Sequence, residues 1–290
     1  MQLFIIMNHI LLFLFIFSLS GCSSTQSENE TQEIELTDVK YGSHDRNKMD
    51  IYLPANRNPE TPFVVNIHGG AWTVGDKSND TSLSKYLLSK GIAVANINYR
   101  YANSTDTHLP ELLDDVDQAF KYLIVHSKDW NTRNTGFSIT GQSSGAHISL
   151  MYAYTKTDKI KAIVDRCAPT DFTDTNTLWQ LDNQHLMDAV NQMSGNKTVW
   201  KEGDPIPELY TRSSPVKFVK NIPILIIHGD KDPVVPIKQS YNLIEVLKEK
   251  NALYKLLIFQ GADHSLDALP GNSAKKLTST ADWINQYGKN

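Results

Sequence analysis

No stretch restricts the fold of this chain more than residues 135–156, TGFSITGQSSGAHISLMYAYTK, which predict a strand, a sharp turn and a helix. The turn holds Gly141-Gln142-Ser143-Ser144-Gly145, a G-x-S-x-G pattern that puts Ser143 at the tip between strand and helix. A serine can occupy such strained backbone only if the residues two before and two after it carry no Cβ to strike the neighbouring strand and helix. The helix then begins beneath Ser143, and its unpaired N–H groups and positive dipole end face any negative charge that develops there. Ser143 is therefore the candidate nucleophile. The same five residues also make an ordinary Gly-Ser turn, so the rest of the chain must decide between the two.

Around this stretch, apolar runs alternate with amphipathic ones. Residues 34–41 and 48–54 predict two leading strands. Residues 62–68, 91–99, 159–165, 222–228 and 253–259 are short apolar runs of the kind found in strands buried on both faces. Helical patterns occupy residues 81–90, 110–126, 237–250 and 273–287. Such alternation predicts an α/β fold, a mostly parallel central sheet with helices on both faces, and places ligand chemistry at the carboxyl ends of the strands. Residues 168–220 break the rhythm with Thr-, Asp- and Asn-rich pieces around a possible helix at 181–193. An excursion of that size after a strand is expected to act as a cap over the catalytic edge. At 290 residues, 40% hydrophobic and with no internal linker or repeat, the chain suits one large domain over residues 34–290. A formal net charge of −4 leaves no footprint for nucleic acid and suits a small neutral or weakly charged substrate.

A serine needs a base, and the base needs a group to hold its tautomer and stabilise the imidazolium. Both must come from loops that follow strands. Of nine histidines, His264 in Gly261-Ala262-Asp263-His264-Ser265, after the last strand, is best placed. His68 and His228 end their strands and are expected to brace loops, and His147 lies one helical turn beyond Ser143. The acid is expected from His228-Gly229-Asp230-Lys231-Asp232-Pro233. Asp232 lies further into that loop and can turn back toward His264, whereas Asp230 suits a turn or cap. An oxyanion hole requires close backbone approach, which the glycines of His68-Gly69-Gly70-Ala71-Trp72 permit. The N–H groups of Gly70, Ala71 and Ser144 are the predicted donors. Trp72, Trp179 and Trp200 could offer apolar or sugar-stacking surface, or pack in the core.

Taken together, HGGAW at His68, NYRYA at Asn98, GQSSG at Gly141, APTDF at Ala168, SSPV at Ser213, HGDKDPVVP at His228 and GADHS at Gly261 resemble the α/β-hydrolase superfamily. Within it they are similar to the hormone-sensitive-lipase-like and bacterial feruloyl-esterase-like carboxylesterases. The chain order Ser143, Asp232, His264 is the order of that fold. The resemblance implies a serine esterase acting through an acyl-enzyme without metal or organic cofactor, on small esters or on acetyl or feruloyl esters of plant polysaccharide. Two departures from the pattern are Ala71, where lipase-like members carry a third glycine, and Ser144, where alanine is frequent. Neither removes a backbone N–H. One rival is a prolyl-oligopeptidase-type peptidase, against which the chain has no room for a large N-terminal propeller. Another is a binding protein on an inactive hydrolase fold, against which all three triad positions are filled.

The N-terminus carries a separate message. An apolar run at residues 10–17 is followed by Ser18-Leu19-Ser20-Gly21-Cys22. Its length suits an export signal over residues 1–21 better than a membrane span. Leu19-Ser20-Gly21-Cys22 also resembles the lipobox of bacterial lipoproteins, although no Lys or Arg precedes the run. That resemblance implies Cys22 as the lipidation site, residues 22–33 as a polar tether, and a protein held at the cell envelope, with Ser23 favouring an outer membrane where one exists. A plain signal peptide or a tail anchor is the alternative. With Cys22 acylated, Cys167 would be the one remaining cysteine and no intramolecular disulfide could form.

Overall fold

The structure, a computed structural model, describes residues 31–289. Residues 1–21, expected to be an export signal, and Cys22, the expected lipidation site, lie outside these. Thirty-one onward, the chain forms β1 (Ile34–Lys40), β2 (Lys48–Leu53), β3 (Phe63–Ile67), α1 (Thr81–Ser89), β4 (Ala93–Ile97), α2 (Leu109–Val125), β5 (Phe137–Gln142), α3 (Ser144–Thr155) and β6 (Ile160–Arg166). It continues through α4 (Thr175–Asn183), α5 (Met187–Ser194), α6 (Glu208–Arg212), β7 (Ile224–Gly229), α7 (Lys238–Glu249), β8 (Tyr254–Phe259) and α8 (Asn272–Tyr287). The eight strands form one sheet in the order β1-β2-β4-β3-β5-β6-β7-β8. β2 runs antiparallel to β1 and β4, and every pairing from β4 to β8 is parallel.

The apolar strand runs have a simple origin. Successive side chains leave a strand on opposite faces, so Val65, Ile67, Ala95, Ile97 and Ile163 enter one core while Val64, Val94, Ala162 and Val164 enter another. The first core packs under α2, α3 and α7, and the second under α1 and α8. Both faces are covered, as parallel strands require. The chain steps from β3 to β4 on one side and later to β5 on the other. That reversal opens a crevice above the carboxyl ends of β3 and β5, and the loops that leave these two strands carry Gly70 and Ser143.

Residues 168–220 are a packed part of the domain, since Phe172, Leu178, Leu181, Val190, Trp200 and Tyr210 all join the first core. The single helix expected at 181–193 is instead two, α4 and α5. His185 adopts a left-handed φ of 56°, its N–H donates to Asp182 O and the Leu186 N–H donates to Leu181 O. This is a Schellman stop, a role usually signalled by glycine. A histidine in that role gave no warning in the sequence. The stop turns both Leu181 and Leu186 onto the cavity described below. Among the described residues no helix is long and apolar enough to cross a membrane.

Candidate active site

Ser143 sits between β5 and α3 at φ 55°, ψ −124°, the strained turn expected from its glycine flanks. The flanks are needed for the reason anticipated. A Cβ on Gly141 would lie 2.3 Å from the Gly145 carbonyl carbon, and one on Gly145 would lie 2.1 Å from Ile67 O at the end of β3. The elbow is also tied to β6: the Ser143 N–H donates to Arg166 O at 2.8 Å, and Arg166 Nε donates to Gly141 O at 3.1 Å.

His264 and Asp232 meet as a pair. The Asp232 Oδ1 atom accepts the N–H groups of Val234 and Val235, each at 2.9 Å, and Oδ2 lies 2.6 Å from His264 Nδ1. Burial alone would raise the Asp232 pKa. Hydrogen bonds from His228 and His264, the charge of His264 and the Val235 N–H outweigh it and hold the carboxyl well below its ordinary range. An ionised carboxylate only accepts, so His264 carries a proton on Nδ1, and in the neutral ring that tautomer places the free lone pair on Nε2. Asp230 instead accepts the Gly261 N–H at 2.5 Å, the turn role expected of it.

Ser143 and His264 line one cavity of about 410 Å³, with Gly70, Ala71 and Ser144 on its wall. No hydrogen bond joins Ser143 to the His264 ring, a contact that in substrate-free hydrolases commonly tightens only when substrate binds. Trp72, Val74, Pro169, Leu181, Leu186 and Val234 make the lining largely apolar. Gly70 has φ 122°, and a Cβ there would lie 2.1 Å from Val74 O. Ala71 and Trp72 follow at φ 46° and 63°, so the turn stays left-handed for three residues. Among the described residues nothing accepts from the Gly70 or Ala71 N–H. The Ser144 N–H, in the first turn of α3, has no intrahelical acceptor. Three donors thus border the space beside Ser143.

His147, His68 and His228 serve as props. His147 donates from Nε2 to Ser213 O at 2.8 Å and accepts the Trp72 indole N–H on Nδ1 at 3.0 Å. His68 sends Nδ1–H to Gly69 O at 2.7 Å, accepts from Arg46 at 3.3 Å and stacks on Tyr99. Burial lowers both to a pKa of about 4, so each stays neutral. His228 donates to Val235 O and accepts from the Ser240 hydroxyl. Cys167, His228 and Asp232 bring possible metal-ligand atoms within 4.8 Å of one another. Both ring nitrogens of His228 and both Asp232 oxygens already have hydrogen-bond partners, so the cluster acts as support beneath the pair.

Several supporting residues left no mark in the sequence. The Gln142 side chain donates to His264 O at 3.2 Å, tying the elbow to the loop that carries the imidazole. Arg166, fully buried, holds Asp80 at 2.9 Å and Asn66 at 2.8 Å. Burial alone would raise the Asp80 pKa, but the Arg166 guanidinium keeps it below its usual range. Asp80 and Gln142 both reach the cavity wall. Of the tryptophans singled out, Trp72 and Trp200 are buried and Trp179 is exposed.

The BD-FAE family matches residues 49–247, well over half of the chain and a span that includes Gly70, Ser143 and Asp232. This chain belongs to the BD-FAE family. The dienelactone hydrolase family matches residues 210–286, which include His264. Among curated proteins, kynurenine formamidase of Danio rerio is 30% identical over 251 residues, covering 86% of this chain and 76% of that protein. Probable isoprenylcysteine alpha-carbonyl methylesterase ICMEL1 of Arabidopsis thaliana is 24% identical over 241 residues, covering 78% of this chain. The match spans 50% of that methylesterase, about half its length. Among solved structures, a truncated carbohydrate esterase from gut microbiota superposes with a TM-score of 0.74 at 25% identity, covering 90% of this chain and 98% of that one. The sheet, the helices on both faces and the superposition on that carbohydrate esterase make the fold that of an α/β-hydrolase.

Proposed function

We propose that this chain is a serine carboxylesterase that cleaves small acyl esters through an acyl-enzyme, with acetyl or feruloyl esters of plant polysaccharide as its substrates. The observation that carries the reading is the 2.6 Å contact between Asp232 and His264 on the rim of the cavity that Ser143 enters from its strained turn. Ser143 Oγ attacks the ester carbonyl as His264 Nε2 takes its proton. Asp232 steadies the imidazolium, and the Gly70, Ala71 and Ser144 N–H groups receive the oxyanion. His264 returns the proton to the leaving alcohol, and water repeats the sequence on the acyl group. No step needs a metal or cofactor. The apolar lining suits an acyl chain or aromatic ring.

The test is Ser143→Ala with p-nitrophenyl acetate. Turnover is expected to fall by several orders of magnitude, on the order of 10⁶ in protease triads, with the fold intact. An undiminished rate would sink the assignment. Identity with a formamidase favours one second reading, cleavage of an N-formyl amide in the same cavity. A higher kcat/KM on an N-formyl arylamine than on any ester would favour it.

We also infer that the protein is exported and held at the cell envelope through a lipid on Cys22, which the apolar run at residues 10–17 and the lipobox-like Leu19-Ser20-Gly21-Cys22 support. Labelled palmitate entering the wild type and the Cys22→Ala variant equally would refute this.

A further inference from the structure

We propose that the outer flank of α4, around Trp179, is a glycan subsite that grips the saccharide part of an esterified polysaccharide outside the catalytic cavity. The inference rests on the polysaccharide reading above and adds a second place of contact. Trp179 is 55% exposed, whereas Trp72, Trp200 and Trp283 are each under a tenth exposed. The exposed indole borders a depression walled by Thr175, Asn176, Trp200, Glu202 and Asp204.

The chemistry of that wall suits a sugar. A pyranose ring presents apolar C–H groups on its faces and hydroxyls around its rim. Trp179 offers a flat apolar face, and the Thr175, Asn176, Glu202 and Asp204 side chains offer donors and acceptors around it. The floor is organised in advance: the Trp200 indole N–H donates to Asp204 O at 3.0 Å, and Asp204 Oδ2 accepts the Lys201 N–H at 3.0 Å. Pre-set partners reduce the ordering cost of binding. Two carboxylates disfavour phosphate or an anionic lipid headgroup.

The position suits one substrate spanning both places. Leu181, two residues from Trp179 on α4, lines the catalytic cavity. Two residues of helix turn the side chain through about 200°, so the two point to opposite flanks of a rod about 10–12 Å wide. Between them Gln180 donates to Pro233 O at 2.9 Å, fixing α4 to the loop of Asp232. An ester with a small alcohol ends in the cavity, whereas an acylated oligosaccharide can continue across α4.

The experiment compares wild type with Trp179→Ala on acetylated xylo-oligosaccharides and on p-nitrophenyl acetate. The variant is expected to raise KM on the oligosaccharide about tenfold more than on the aryl ester, with kcat little changed, the scale of one lost aromatic contact. Calorimetry of Ser143→Ala with deacetylated xylohexaose should show binding that Trp179→Ala abolishes. Equal KM ratios for the two substrates, or xylohexaose binding that ignores Trp179, would overturn the subsite. So would a concentration-dependent dimer in sedimentation that Trp179→Ala dissociates, since the indole would then serve a protein contact. Loss of the esterase reading is seen separately, as wild-type protein inert toward p-nitrophenyl acetate.

Discussion

Replacing Asp232 by Asn changes one atom and should cost nearly all turnover. Oδ1 accepts two backbone N–H groups, from Val234 and Val235, each at 2.9 Å. The asparagine carbonyl must stay there, because turning the amide would break both bonds at about 1 kcal/mol each and set an NH₂ against two donors. The NH₂ therefore falls where Oδ2 meets His264 Nδ1 at 2.6 Å, in a side-chain site closed to solvent. Two donors cannot face each other, so Nδ1 must give up its proton and Nε2 must take one. An imidazole protonated on Nε2 cannot receive the Ser143 proton. The same tautomer error in a protease triad costs about 10⁴ in kcat, equivalent to about 5.5 kcal/mol of barrier. Asp230→Asn is the control: its partly exposed carboxylate serves the Gly261 turn, and kcat should stay within about twofold. The assay is p-nitrophenyl acetate hydrolysis at pH 7.5, with circular dichroism to verify folding; the pH is about one unit above an ordinary histidine pKa. A folded Asp232→Asn enzyme within about tenfold of wild type, or an Asp230→Asn enzyme equally impaired, would refute this assignment of the acid, since the tautomer argument requires a loss near four decades.

Two further perturbations test the framework. Gly145→Ala would set a methyl 2.1 Å from Ile67 O and 2.5 Å from His68 O, so α3 must lift from the end of β3. Urea melts should show a loss of about 1–3 kcal/mol together with reduced kcat as the Ser144 N–H moves, and an unchanged melt would contradict the packing. Asp165 tests the sign of a pH effect: burial raises its pKa from 3.8 to about 6. A raised folded pKa means the native state holds the proton more tightly, so the contribution of this group is complete below about pH 4 and is lost as pH rises through about 6. At pH 8 the loss is about 3 kcal/mol. Asp165→Asn keeps an acceptor for the Ala168 N–H at 2.9 Å and cannot ionise. Its stability should gain on wild type between pH 4 and 8, and parallel profiles in urea denaturation would refute the burial argument.

What could be read directly was local. The glycine-flanked Ser143, the glycine turn at residues 69–70 and the loops after β7 and β8 are short-range patterns, because backbone strain and period-two burial depend on residues close in sequence. The two-face burial of the parallel strands also left a direct trace in their unbroken apolar runs. The end of α4 did not, since His185 takes a left-handed conformation normally marked by glycine. Other features stayed hidden for a different reason. Gln142 reaches the backbone of a residue 122 positions away, and Arg166 reaches Asp80 86 positions away. Gln142 fills a position that the G-x-S-x-G pattern leaves open to any residue, and nothing near Arg166 in the chain distinguishes it from an ordinary polar residue.

The sequence by itself determined which backbone segments could turn sharply, which runs had to be buried on both faces, and the order in which the candidate nucleophile, acid and base follow strands. The sequence also favoured Asp232 over Asp230, but only the tertiary structure brought Asp232 within 2.6 Å of His264, made His147 a buried prop between Trp72 and Ser213, and left Trp179 alone of the three tryptophans singled out facing solvent. Strand and turn preferences come from forces acting over a few residues. Partner choice waits until sheet order brings distant loops to one edge, where hydrogen-bond geometry and the cost of burying an unpaired charge select among them.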